Sequence, residues 1–439
     1  MNESLFIEYV SKIWPKLSLY VNEKIKGKKT QPTYLHKTML TPVYSADQKW
    51  EGTSANTVYV AADMVAMDSP LPLKSRNAIS TASGTLPKVG MKKQLRETEI
   101  NALNIMKAHL SLATGEAAAS QKARIFNKIL DDGLACSIGI DERNEANFLA
   151  ALSDGVILIE DDKNTGIGVR FNYGYLAENA FGVATEGTII GDDIQRVLDK
   201  ADNDGNTVAA IAIAKSTYDK IRETQWAKEL VAGYKDMTVT SDTTLPVPNA
   251  ATFDDAFESE YGVSFLKIDR SVSYEKNGKR TSYKPFNANK LVFLPDASNV
   301  GSLVWGTLAE DTNRVNGVEY SIVDQYKLIS RYSKNDPLAE FTNGQALVLP
   351  VIENVEQIYT IDITDAQAED ETAEASDTND ATVTVWGNTY TKSAFITAMK
   401  SLGISINANA TDATIIKNVN ELSDADEAKL KAAVESAKA

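Results

Sequence analysis

The sequence predicts an α+β chain with a main body ending near residue 363 and a small C-terminal α/β domain. Three observations predict it. A Pro- and Gly-punctuated stretch, residues 57–97, separates a basic N-terminal segment from a long helical region. Helix and strand patterns then alternate from 191 to 295. An acidic stretch, 364–380, precedes a last unit with apolar residues of its own.

The chain has 439 residues, of which 43% are hydrophobic and 24% charged, and these fractions exclude a disordered or collagen-like chain. The single cysteine, Cys136, excludes an intramolecular disulfide and a Cys-rich zinc site. Its context, LACSIGI, makes it a small core residue. Two histidines, His36 and His109, are a poor supply for acid–base or metal chemistry. No apolar run reaches the ~18–20 residues of a membrane span, so no membrane partner is expected. The N-terminus begins with Glu3 and is interrupted by Glu8 and Lys12, unlike a signal peptide, so use without export is expected.

Net charge is -15, which argues against nucleic acid as the partner of the whole surface. The charge is nevertheless polarised. The first 96 residues carry 14 cations and 7 acids, whereas 361–380 carry 8 acids and no Lys or Arg. A basic arm and an acidic linker follow from this pattern.

Residues 4–20 read as an amphipathic helix cut by Pro15. Pro70, Pro72, Gly84, Pro87 and Gly90 rule out helix in the next segment, and a two-stranded arm fits it. Such an arm has no core, so it and the N-terminal segment should be completed by neighbouring copies. Helix should start at Thr98 as N-cap, and a second helical region should span 116–154, kinked or broken at Gly133 and Gly139 and stopped at Gly155. A hairpin follows at 156–174. Next come a capped helix from Gly191, a buried strand at 208–214, one helix over 215–234 and another at 252–262 with Thr252 and Asp255 as its capping pair. Asn277-Gly278 marks a hairpin. Residues 289–295 form a buried strand, and 346–363 close the body as a strand pair. In 381–439 the candidate core is Val383, Val385, Trp386, Tyr390, Phe395, Ile396, Met399, Leu402, Ile404, Ile415, Ile416, Val419, Leu422 and Leu430.

Catalytic signatures are missing. There is no phosphate loop, HExxH or nucleophile elbow. Lys200, Asp202 and Asp204 imitate part of a calcium loop but read better as a helix end, and Asp192-Asp193 read as helix capping. No catalytic, metal or cofactor residue is assigned, and the chain is not expected to be an enzyme.

The order of elements resembles that of tailed-bacteriophage major capsid proteins with the Hong Kong 97-type fold, in the lambda-like "major capsid protein E" branch. The likeness covers roughly 30–363. It rests on VAADMVAMDSPLPLKSR (60–76), GTLPKVGMKKQLRETEI (84–100), IDERNEANFLAALSDGVI (140–157), the stretch 263–306 around YEKNGKRTSYKPF, and PVIENVEQIYTIDI (350–363). It implies an N-terminal arm (1–56), an extended loop (57–97), a peripheral domain with a spine helix (98–190), an axial domain (191–345) and peripheral return strands (346–363). An acidic linker (364–380) and the small domain (381–439) lie beyond the family pattern. By the resemblance, copies would form hexamers and pentamers of an icosahedral shell around double-stranded DNA, in a virion assembled in the host cytoplasm. Portal and scaffold proteins would be partners. Pro70, Pro72, Lys74, Arg76, Pro87 and Lys88 would form the subunit interface, and Lys24, Lys26, Lys28 and Lys29 would face DNA. The alternatives are an encapsulin-like compartment shell and a surface carbohydrate- or protein-binding module.

Overall fold

The computed structural model describes residues 3–26, 34–55, 79–159, 169–237 and 245–366 of the main body. In the C-terminal region it describes 382–386, 388–391, 395–396, 398–399, 415–416, 419, 427, 429–431 and 434. The chain divides into two units, Met1–Ala368 and Glu369–Ala439.

The N-terminal segment forms α1 (Ile7–Ile13), a short 3-10 turn at Trp14–Lys16 and α2 (Leu17–Lys26). Pro15 sits in the first turn of the 3-10 segment, where its missing N–H costs nothing. Phe6, Val10, Trp14, Leu17 and Val21 repeat at helical spacing and are all buried. They pack with Ile125, Ile129 and Leu130 of the same chain. The expectation that this segment needs a neighbour to cover it is therefore corrected: its apolar stripe is covered from within.

After α3 (Leu35–Met39) come β1 (Leu40–Tyr44), β2 (Lys49–Ala55), β3 (Ile79–Thr85) and β4 (Lys88–Arg96). Helix α4 (Glu97–Leu112) is capped at Arg96, not Thr98: the Arg96 N–H donates to Glu99 Oε2 at 3.0 Å. Helix α5 (Gly115–Asp154) is one unbroken helix of 40 residues, about 60 Å long at 1.5 Å per residue. The expected break at Gly133 and Gly139 is absent. A Cβ on Gly133 would come 3.0 Å from Leu17, and one on Gly139 would come 2.1 Å from Met91 Sδ. Both glycines admit close neighbours, and packing offsets their low helix propensity. Gly155 ends the helix in the left-handed region, φ 64°, as expected.

The chain continues through β5 (Val156–Ile159), β6 (Val169–Asn172), β7 (Ala180–Val183), α6 (Gly191–Asn203) and β8 (Ala210–Ala214). The single helix expected over 215–234 is two, α7 (Lys215–Glu223) and α8 (Gln225–Tyr234). Thr224 adopts an extended backbone between them, and its Oγ1 accepts from Ala227 N at 3.2 Å. Helix α9 (Ala250–Tyr261) is capped by Asn249, which accepts from Thr252 N at 2.9 Å, rather than by the Thr252–Asp255 pair. Then follow β9 (Ser264–Ile268), β10 (Val272–Lys276), β11 (Lys279–Tyr283), β12 (Lys290–Leu294), β13 (Gly301–Gly306), α10 (Ala309–Thr312), β14 (Glu319–Val323), β15 (Lys327–Asn335), β16 (Leu338–Ile352) and β17 (Tyr359–Ala366).

Two larger sheets organise this unit. One has the order β1-β13-β16-β15-β14, with β4 also on β16, and its core includes Phe148, Leu149 and Leu152 of α5. The other has the order β7-β17-β12-β8-β9 and packs against α6, α7, α8 and α9 around Phe253, Phe257 and Phe293. The two closing strands do not pair with each other. β16 is central to the first sheet and β17 lies inside the second, because the 3-10 turn Val355–Gln357 redirects the chain between them.

In the second unit β18 (Thr382–Val385) pairs antiparallel with β19 (Asn388–Thr391). Its core holds Val385, Tyr390, Phe395, Ile396, Met399, Ile415, Val419 and Leu430, with Val434 added. Ile416, expected in the core, is 38% exposed, and Trp386 is partly buried. The side chains of Val383, Leu402, Ile404 and Leu422 lie outside the described residues.

Candidate assembly surfaces

Helix α5 reads as polar in sequence over IDERNEAN yet buries Asp141, Asn144, Glu145 and Asn147. Lys327, fully buried, reaches Asp141 at 2.6 Å and Asp324 at 2.7 Å. Lys37 bridges the same two carboxylates at 3.0 and 3.1 Å. Burial opposes the charge on Lys37, but Asp141 and Asp324 outweigh it and hold its pKa above the usual lysine value. Burial likewise pushes the Asp324 carboxyl up, and Lys327 and Lys37 overcome this and hold it below the usual range.

Glu145 anchors α3 to the same helix. Its two oxygens accept the Leu35 and His36 N–H groups at 3.0 Å each, and His36 Nδ1 lies 2.6 Å from Oε2. This carboxylate satisfies donors that the first turn of a helix leaves free. A second buried pair, Arg331 Nε to Glu340 Oε1 at 2.7 Å, joins β15 to β16. Arg331 also donates to the Ile129 carbonyl of α5 at 2.9 Å and lies 5.6 Å from the Trp14 ring, while Ser4 donates to Glu340. Desolvation offsets much of the attraction in such buried pairs, while removal of one partner strands the other. These carboxylates are matched by cations or backbone donors, and no metal-type cluster occurs among the described residues.

The two-stranded arm expected over 57–97 is placed differently: the first strand of its stem precedes those bounds, β4 belongs to the first sheet, and 56–78 lie outside the described residues. In the stem, Lys49–Ala55 pair antiparallel with Ile79–Thr85, residue for residue. Its root is fixed in the main core by Trp50, packed 5.5 Å from the Tyr173 ring and 6.2 Å from Phe171, and by Leu86. The next strand, β4, is bound to β16 from Lys88 to Arg96. Pro87 is half-buried and its carbonyl accepts from Val348 N, while Lys88 is exposed. Pro70, Pro72, Lys74 and Arg76 lie outside the described residues, as do Lys28 and Lys29. Lys24 is exposed near the end of α2, with Nζ 5.4 Å from the Tyr20 ring centroid; the Lys26 side chain is outside the described set. The structure therefore brings Pro87 and Lys88 to the arm's root and leaves Lys24 on a separate helix.

Cys136 is buried as the sequence suggests. Its thiol faces the Thr342 carbonyl at 3.7 Å, and burial pushes its pKa up to about 12, the reverse of a reactive thiolate. Lys200 and Asp204 pair at 2.5 Å at the end of α6, and Asp193 caps its start through Ala184 N and Ile190 N. Neither belongs to a metal-type cluster among the described residues. The buried charges of α5 escape sequence reasoning, because their partners lie 104 to 186 residues away.

A family model for phage major capsid protein E matches residues 20–363. The chain belongs to this family. Members of the phage major capsid protein E family are structural shell proteins and not enzymes, and membership carries with it the Hong Kong 97-type α+β fold, self-association and a place in the virion capsid. The match ends at Ile363, within β17, so Glu369–Ala439 lies beyond it. No curated protein sequence matches the chain. Among solved structures, it is similar to a capsid protein described as putative from a prophage of E. coli CFT073, at 13% identity over 79% of this chain and 98% of that one, with a TM-score of 0.46. It is also similar to the cyanophage A-1(L) capsid subunit (13% identity, 76% and 92% covered, TM-score 0.40). A third similar chain is the SrpI encapsulin of Synechococcus elongatus PCC 7942 (10% identity, 79% and 96% covered, TM-score 0.33).

Proposed function

We propose that this capsid protein builds an icosahedral head from hexamers and pentamers and encloses double-stranded DNA, in a virion assembled in the host cytoplasm. A portal and a scaffold protein are its further partners. The observation that carries the reading is the arm. A two-stranded stem is rooted through Trp50 and Leu86 in a body held by buried ion pairs, so its far end lies on an adjacent subunit. Pro70, Pro72, Lys74, Arg76, Pro87 and Lys88 supply that contact. Lys24, Lys26, Lys28 and Lys29 face packaged DNA, where phosphate favours Lys. Residues 381–439 form a domain displayed on the outer surface, away from DNA, in keeping with a net charge of -8 over 361–439. The test is to replace 56–78 with a short Gly/Ser link that preserves the β2–β3 stem. A folded subunit that makes no shells is the expected result. Normal shells from this variant would remove the arm from the interface.

A further inference from the structure

The hairpin β10–β11 pairs with no other strand among the described residues, and of its ten residues only Val272 is buried. Its stem is orderly: Asn277 and Gly278 take positive φ in the tight turn, Tyr274 meets Tyr283 edge-on at 5.7 Å, and Ser273 and Ser282 share a hydrogen bond of 2.7 Å. Its tip is built against itself. Lys276 and Lys279 stand directly opposite each other, and like charges facing across a ladder destabilise it. Arg280 is beside them, opposite Glu275. Other cations of this segment have partners: Lys267 with Asp254, Arg270 with Glu142, Lys284 with Asp269 and Lys290 with Asp154. Among the described residues, Lys276, Lys279 and Arg280 have none.

The opposite surplus lies one strand upstream. Helix α9 has four acids, Asp254, Asp255, Glu258 and Glu260, and no Lys or Arg. Asp254 is occupied by Lys267 and the Tyr218 hydroxyl. Asp255, Glu258 and Glu260 are exposed and without an ion partner among the described residues.

We propose that the Lys276/Lys279/Arg280 tip docks on the Asp255/Glu258 face of α9 in an adjacent copy, a contact that rests on the shell reading above. Two different and complementary patches on one chain join head to tail, and a head-to-tail contact repeats around a ring. A two-fold contact would instead have to make the same tip-to-helix pairing twice, once in each direction. DNA is the competing anion; α9 supplies acids within the same kind of molecule, and the DNA-binding readout below separates the two.

Lys279→Glu separates a docking role from a structural one. It turns the Lys–Lys pair into Lys–Glu, which favours the hairpin, and it lowers the charge of the three tip residues from +3 to +1. A merely structural tip would assemble as well or better. Docking requires that assembly of the purified full chain, followed by light scattering at about 0.1 M salt, slows about tenfold and loses much of its salt dependence, as loss of charge steering does. Glu258→Lys should slow it similarly, and the double variant should recover most of the loss. Asp255→Lys provides a second variant on the same face. Wild-type rates for Lys279→Glu, Glu258→Lys and Asp255→Lys, in a protein that does form shells, would overturn this contact alone. Normal assembly of Lys279→Glu with weakened DNA binding would overturn it in favour of DNA. A wild-type protein that forms neither rings nor shells would overturn the shell reading and this contact with it.

Discussion

Replacing Trp14 with Ala tests whether the N-terminal segment belongs to the subunit's own core. Trp14 is fully buried against Leu17, Gly133 and the Arg331 guanidinium, and its Nε1–H faces the Ile329 carbonyl at 3.4 Å. A buried aromatic removes about 150–250 Å² from water. At about 25 cal/mol per Å², the transfer term is about 4–6 kcal/mol, an upper value because unfolded chains already hide some surface. Measured Trp or Phe truncations cost about 3–5 kcal/mol, so a loss in that range is expected. The assay is urea unfolding of dilute, unassembled subunit, followed by far-UV circular dichroism so that losing one indole does not distort the signal. A loss below about 1 kcal/mol, the scale of ordinary surface changes, would refute the intramolecular packing. It would restore a segment that only a neighbour can cover.

Lys327→Met should cost about 3–5 kcal/mol in the same assay, because it strands the buried Asp141 with Lys37 alone; a loss under about 1 kcal/mol would mean the pair is not formed. The unassembled subunit should weaken in acid. Asp324 has a depressed folded pKa, so its contribution is present above the unfolded value of about 3.9 and disappears as pH falls through the folded value. Asp324→Asn should flatten stability between about pH 5 and pH 2, and an unchanged slope would remove Asp324 from the network. Cys136 should resist a thiol reagent at pH 8 until the subunit unfolds, and fast labelling of native protein would contradict its burial. Truncation after Ala368, which keeps all of β17, should leave the first unit folded and assembling; loss of every shell would place the last unit in the wall.

Local signals were legible in the sequence and distant ones were not. The Asn277-Gly278 turn, the Gly155 helix stop and the spacing of Val385, Tyr390, Phe395 and Met399 each depend on neighbouring residues, and each lies where the pattern placed it. Gly133 and Gly139 misled because propensity treats a glycine as a break. Here the tertiary neighbours Leu17 and Met91 occupy the space a side chain would fill. The parting of β16 and β17 into different sheets is likewise invisible locally, since both read as apolar strands. Of the candidate site, the Pro and Gly pattern excluded helix, but it did not place the strands: β2 precedes the expected arm and β4 joins β16. The ionic scaffold of the body was not legible, because Asp141, Glu145 and Lys327 look like surface charges until partners more than 100 positions away are brought to them.

The central claim is that this chain builds a closed shell from many copies of itself. Negative-stain electron microscopy of the purified full-length protein tests it most directly. The account predicts rings of five and six subunits or closed particles of uniform diameter. A field of monodisperse single subunits, unchanged by protein concentration or by salt, would contradict it.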